Sequence, residues 1–212
     1  MKTYIKITAI FLFFTLLGCS SKEDFYLDRN IFIEDPTSPD LPIYSEEGYN
    51  SFGAYINRFP FVSNLSSGIP QITIKKDTMF FSLKGIYKKS TQKYYRQDVT
   101  LDFRFIDNFS QKKLDKYTDL MFFNNYMVNF NNTNTKITLK INEEKHQLKI
   151  VDGKMHFKKA RKLFLDDEIM KVVLSGRFYF KAFMNNDDSD IITIKSGRFD
   201  LGFGYDNYNH FE

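Results

Sequence analysis

From Gly48 onward, most of the chain alternates apolar and polar positions. In "VTLDFRF", residues 99–105, Val99, Leu101, Phe103 and Phe105 fall on one side of an extended chain, and Thr100, Asp102 and Arg104 fall on the other. Successive side chains of a strand point to opposite faces, so a period of two describes a strand with one face on a core. "KITLKI", "HQLKI", "GRFYFKAF" and "GRFDLGF" repeat the idea. The breaks between them carry turn chemistry: "INRF" at 56–59, "KKDT" at 75–78, "NNTN" at 131–134, "NEE" at 142–144, "VDGK" at 151–154 and "NNDDSD" at 185–190. Strands at this spacing predict an all-β fold, an antiparallel β-sandwich or flattened barrel.

One segment departs from the alternation. "SQKKLDKYTDLMFF" offers Ser110 as an N-cap and sets Leu114, Tyr117, Met121 and Phe122 at helical spacing, which predicts one short helix over residues 110–119 covering an open end of the sheets. A small internal echo also stands out. "SGRF" occurs at 175–178 and again at 196–199, in the two arms of a hairpin whose loop is "NNDDSD", so Gly176 and Gly197 are expected near each other across the ladder.

The start of the chain has a different character. Lys2 and Lys6 precede an uncharged apolar run over residues 7–17, within the length of a signal core and well short of the roughly 20 residues needed to span a bilayer. Leu16, Leu17, Gly18 and Cys19 resemble a bacterial lipobox, which implies transfer of a diacylglycerol carrying palmitate-like chains to the Cys19 sulfur, followed by cleavage before Cys19. Cys19 is the only cysteine of the chain, so no intrachain disulfide competes for it. Two or more acyl chains hold a protein at a membrane where one binds only marginally. Lys22, Glu23 and Asp24 follow closely and resemble the lysine-then-acidic export tract of Bacteroidota lipoproteins. That resemblance implies display on the outer face of the outer membrane, the alternative being a periplasm-facing leaflet. "EDPTSPDLPIYSEEGYN" then combines three prolines and five acidic residues with no sustained period, which predicts a flexible linker. The expected organisation is a signal peptide at 1–18, a lipidated linker at 19–47 and a single β domain at 48–212.

Charge and composition narrow the function classes. The full chain carries a formal +4, and without Lys2 and Lys6 the mature part is nearly neutral. Its basic residues stand mostly beside acidic ones, so no nucleic-acid partner is expected, and "KMHFKKARKLF" at 154–164 reads as a solvated strand edge. Aromatic residues make up 17% of the chain, with 24 Phe, 13 Tyr and no Trp. Tyr87, Tyr94 and Tyr95 surround the "KKSTQK" loop and are candidates for contact with a partner.

"GYNSFGAYINRFPF" near the start of the domain and "IITIKSGRFDLGF" near its end resemble the opening and closing strands of a family of Bacteroidota outer-membrane lipoproteins of unknown function. Members tend to open with an N-T-F-G-x-x-V-N-G-x-x-W pattern; here Ser51 stands for the threonine, Arg58 for the glycine and Phe61 for the tryptophan. The family implies a secreted, lipid-anchored β domain and no activity.

Candidate chemistry is sparse. His146 and His156 flank "VDGK" and show no ligand spacing, so strand histidines are expected. "NNDDSD" departs from the calcium-loop pattern because Ile191 stands where its glycine belongs, so no metal and no cofactor are expected; Asp187, Asp188 and Asp190 are the residues that would ligate a metal if one bound. Thr78, in "DTM", resembles an O-glycosylation site of exported Bacteroidota proteins. No hydrolase or phosphate-loop motif appears. The sequence therefore points to a non-enzymatic lipoprotein that binds a protein or glycan partner. A barrel carrying an apolar ligand is the alternative, and a cryptic hydrolase comes third.

Overall fold

A computed structural model of the protein describes residues 30–64, 68–88, 96–106, 114–132, 134–165, 168–185 and 187–211. The strands are β1 (Glu34–Asp35), β2 (Ser38–Pro42), β3 (Ser51–Ile56), β4 (Phe59–Ser63), β5 (Gln71–Lys75), β6 (Thr78–Lys88), β7 (Arg96–Ile106), β8 (Tyr126–Asn129), β9 (Thr135–Ile141), β10 (Glu144–Leu165), β11 (Glu168–Met184), β12 (Asp187–Phe203) and β13 (Tyr208–Phe211), with a 3-10 helix at Tyr117–Phe123.

The antiparallel ladders close on themselves. Strand β3 pairs with β4, β4 with β6, β6 with β7, β7 with β9, β9 with β10, β10 with β11, β11 with β12, and β12 returns to β3. This is an all-β, flattened eight-stranded barrel. β5 extends it beside β6, β13 adds a parallel strand to β5, and β8 lies along the middle of β10. β1 and β2 form a separate two-stranded sheet.

Phenylalanine fills the interior. Val99, Leu101, Phe103 and Phe105 of β7 are all buried, as their alternation predicts. Phe81 of β6 meets Phe157 of β10 at 6.2 Å and Phe199 of β12 at 5.4 Å between ring centroids, and Phe103 meets Phe178 of β11 at 5.5 Å. Those partners lie three strands away around the barrel, so the rings span it from wall to wall rather than lining a void.

The one helix among the described residues begins later than the spacing predicts, and it is of a different type. It is a 3-10 helix over Tyr117–Phe123, because the buried side chains Leu114, Tyr117, Leu120 and Phe123 recur every three residues. The Asp119 carboxylate accepts the Lys116 N–H at 2.8 Å and fixes its start. Ser110, the expected cap, lies outside the described residues. The helix packs on β10 and β11: the rings of Phe123 and Phe157 meet at 5.0 Å, tilted by 43°, and the Tyr117 hydroxyl donates to the Ile169 carbonyl at 2.5 Å.

Two expected loops become strand. "VDGK" is no hairpin turn but part of β10, where the register with β11 shifts between Ile150 and Asp152 and the chain bulges instead of reversing. In "NNDDSD" Asn185 stands at φ 52° and Asp187 already pairs with Met184, so strand pairing reaches further into this segment than the spacing predicts.

The expected linker also needs correction over its described part. Residues 30–47 form a strap fixed to the barrel wall. Leu41 is 0% exposed and packs with Val62 and Ile86. A Cβ on Gly53 would stand 2.5 Å from Pro42 Cδ, so only glycine lets the strap lie this close to β3. The prolines that suggested an open tether sit in a two-stranded edge hairpin, where a missing N–H costs little.

Candidate functional site

The outer face of β10, β11 and β12 carries the most distinctive chemistry. The two SGRF segments are paired so that Arg177 faces Arg198, Gly176 faces Phe199 and Phe178 faces Gly197. The glycines therefore sit diagonally across the Arg pair, and each accepts the ring of the opposite segment. A Cβ at Gly176 would lie 2.4 Å from the His156 carbonyl oxygen and 2.6 Å from Phe199 Cζ, and one at Gly197 would lie 2.5 Å from the Phe178 carbonyl oxygen. Inward, the echo supplies two phenylalanines to the core. Outward, it sets two cations side by side, an unfavourable pairing unless each finds other company.

Arg198 finds it in the strap. Only 9% exposed, it donates from Nη1 to the Asp35 carboxylate and to the Pro42 carbonyl at 3.3 Å, from Nη2 to Ser38 Oγ at 3.0 Å, and from Nε to the Ser196 carbonyl at 3.1 Å. Asp35 also accepts the Thr37 hydroxyl at 2.7 Å and the Thr37 N–H at 2.8 Å. These bonds from Thr37, followed by Arg198, hold its carboxyl well below the usual carboxylate range. A second carboxylate, the buried Asp200, accepts the N–H groups of Gly48 at 2.9 Å, Tyr49 at 3.0 Å and Glu47 at 3.2 Å. Burial pushes its pKa up, and the three donors oppose that shift.

Arg177 stays open. Its guanidinium lies 4.7 Å from the centre of the Tyr44 ring, which Lys158 also approaches at 5.7 Å. The Tyr44 hydroxyl donates to Glu46 at 2.9 Å, and burial raises its pKa to about 12. Next to Arg177 a groove of about 330 Å³ runs over Lys154, His156, Lys158, Arg177, Tyr179 and Arg198. Backbone irregularities shape it. Lys158 is the extra residue where β10 slips against β11 between Phe157 and Lys159, and Ser196, at φ 53°, lies where β12 loses register with β3 between Lys195 and Arg198. None of the lining residues is acidic, and among the described residues Lys154, Lys158 and Arg177 form no ion pair. His156 bonds to Asn125 at 2.9 Å; burial first, then Lys158 and Lys154, push its pKa down.

The residues singled out from sequence are scattered. Cys19, Lys22, Glu23, Asp24, Tyr94 and Tyr95 lie outside the described residues. Tyr87 is no surface contact residue: it is 6% exposed and packs edge-on against Phe59 in the core. Thr78 opens β6, half-buried, just after the Lys76–Asp77 turn. Asp187 is engaged by Ser189 and Asp188 by Lys149 at 3.1 Å, so the loop carboxylates do not converge. Among the described residues no three His, Cys, Asp or Glu side chains gather in a way that could hold a metal ion. His146 and His156 lie on one strand, ten positions apart, instead of facing each other across a hairpin.

Sequence reasoning missed Arg177 and Arg198 as a pair, although the SGRF echo was their signal. It also read "KMHFKKARKLF" as plain solvated edge, because the clustering of Lys154 and Lys158 with Arg177 arises only when β10 and β11 pair. No protein-family profile matches this chain, and neither a curated protein nor a solved structure shows detectable similarity to it.

Proposed function

We propose that this chain is a lipid-anchored, exported outer-membrane lipoprotein that acts without catalysis, as a binding module for a protein or glycan partner at the cell surface. The observation that carries the binding reading is the division of the barrel. Its interior is occupied by phenylalanine rings in contact from wall to wall, and its outer wall offers a concave, cationic groove. A ligand would meet this protein from outside. The anchor rests on Leu16, Leu17, Gly18 and Cys19, and the export address on Lys22, Glu23 and Asp24. Because Asn30 already belongs to the strap, bonded to the Asn50 carbonyl at 2.9 Å, the chain between the acylated residue and the barrel spans at most roughly 40 Å. The groove would then work close to the membrane surface. No helix among the described residues is long and apolar enough to cross a membrane, so under this reading the acyl chains supply the attachment.

The test is metabolic labelling with a palmitate analogue followed by cell fractionation. Wild type should carry label and sediment with outer membranes, and Cys19→Ala should lose both. Replacing Lys22, Glu23 and Asp24 with alanine should keep the label while changing the protein from protease-accessible to protease-protected on intact cells. An unlabelled, soluble wild type would overturn the anchor, and accessibility unchanged by the triple substitution would overturn the export address.

A further inference from the structure

Resting on the binding-module reading, we infer that the groove across β10, β11 and β12 takes an acidic polysaccharide, seating its sulfate or carboxylate groups against Lys154, Lys158 and Arg177. The first ground is unspent charge. The carboxylates around the strap are already engaged, Asp35 with Arg198, Glu47 with Arg161 at 2.9 Å and Glu46 with the Tyr44 hydroxyl, whereas the three groove cations form no ion pair among the described residues. Arg177 Cζ lies over the Tyr44 ring, a contact that takes up none of the guanidinium N–H donors in an ion pair. A planar fork so held suits bidentate capture of a carboxylate or sulfate.

The second ground is spacing. Lys154 and Lys158 are four positions apart on one strand, roughly 12 Å once the bulge at Lys158 is allowed for, and Arg177 sits on the next strand opposite His156. A row of charges at that interval fits a polymer with a repeated anion better than a single small ion. The third ground is the ring at the Lys154 end of the groove. Tyr179 is 42% exposed, with Lys154 Nζ 5.9 Å from its centre, and so offers a flat apolar face with a cation at its margin. A sugar ring can lie on such a face while its acidic substituent reaches the lysine. A bilayer surface is flat and would seat poorly in a concave groove, and the nearly neutral mature chain lacks the broad field that nucleic acids recruit.

The experiment is calorimetric titration of the full chain, purified in detergent, with a heparin-derived hexasaccharide, a hexagalacturonate and neutral maltohexaose. At least one acidic hexamer should bind, at least about tenfold more tightly than maltohexaose, and should weaken as NaCl rises. Lys154→Gln with Lys158→Gln should weaken it at least about tenfold, as expected for lost charge-assisted hydrogen bonds. Lys136→Gln with Lys145→Gln removes the same charge from a separate depression between β7 and β10 and should change affinity less than about twofold. Unchanged thermal melts for both variants tie any loss to the groove.

Failure of both acidic hexamers to bind, or equal weakening by the two lysine pairs, would overturn the inference. So would an oligothymidylate or a phosphatidylglycerol vesicle binding more tightly than either sugar and losing that binding in the Lys154/Lys158 variant. Maltohexaose binding that matches the acidic hexamers would overturn the anionic assignment and leave the binding-module reading standing, which shows that the two fail separately.

Discussion

Arg177 and Arg198 belong to identical tetrapeptides and stand opposite each other on adjacent strands, yet one is buried under four hydrogen bonds and the other lies in an open groove. Inside the barrel the two copies remain equivalent, each glycine receiving the other copy's phenylalanine. Outside, the strap crosses Arg198 with Asp35, Ser38 and Pro42, but offers Arg177 only the face of Tyr44. The difference lies entirely in the element laid over the motif. A repeated sequence can thus carry one packing role twice and split its polar residue between scaffold and surface.

The equivalence inside is the easiest part to break. Phe178→Ala and Phe199→Ala should each cost about 3–5 kcal/mol of unfolding free energy, and the two values should agree within about 1 kcal/mol. Denaturant melts would measure both. A large inequality would mean that one ring, not the pair, carries the packing. Gly176→Ala and Gly197→Ala come next. Each would push a Cβ to within about 2.5 Å of a carbonyl oxygen, so losses of about 1–3 kcal/mol are expected for both.

The asymmetry outside predicts a different ranking. Arg198→Ala should cost about 2–4 kcal/mol, because it leaves the Asp35 carboxylate and the Pro42 carbonyl under the strap without their donor. The same variant should expose the strap to limited proteolysis between residues 34 and 47. Arg198→Lys should recover only part of the loss, since one ammonium cannot span Asp35, Ser38 and Pro42 together.

How much of this could be read from the chain depended on the range of the interaction. The period of β7 and the Asn57, Lys76 and Asn142 turns are local, and each is where the sequence placed it. Barrel closure is not local: it depends on β12 returning to β3 across more than a hundred residues, and alternation says nothing about which strand pairs with which. The strap was misread for the same reason. Its acidic, proline-rich composition suits a tether, and only the distant Arg198, Asp200 and Gly53 turn it into structure. "VDGK" was misread because Asp-Gly favours a tight turn, and it took the length of β11 alongside to hold it straight. As for the groove, its lysines were visible as a basic run, and Gly197 marked the irregularity between Lys195 and Arg198, whereas no local signal marks the bulge at Lys158.

Acid offers a finer test of the clamp. The Asp35 pKa is depressed in the folded state, so its contribution to stability is complete above the ordinary carboxylate range and is lost as pH falls through that range towards the folded value. The unfolded state is common to wild type and Arg198→Ala, so their stability gap should be constant near neutrality and narrow at acid pH, where the Asp35 carboxyl of the folded variant, without the guanidinium, takes up its proton before that of folded wild type. Asp35→Asn should flatten that dependence. Melting temperatures of the three proteins from pH 7 to pH 3 would measure it, and a gap that widened towards acid would contradict the clamp.

The smallest effect sharpens the comparison most. Arg177→Ala gives up the contact with Tyr44, worth roughly 0.5–1 kcal/mol at an exposed site, but it also relieves the opposition of two like charges across the β11–β12 ladder, which works against stability by a similar amount. The two terms offset, so its melt should lie within about 0.5 kcal/mol of wild type. A loss as large as that of Arg198→Ala would show that both copies serve the scaffold and would leave no spare cation at that end of the groove. In an Arg198→Ala background the repulsion is already gone, so there Arg177→Ala should cost the full stacking energy. The double-mutant cycle should therefore show a small unfavourable coupling between the two arginines, with the strap cleaved no faster in Arg177→Ala alone than in wild type.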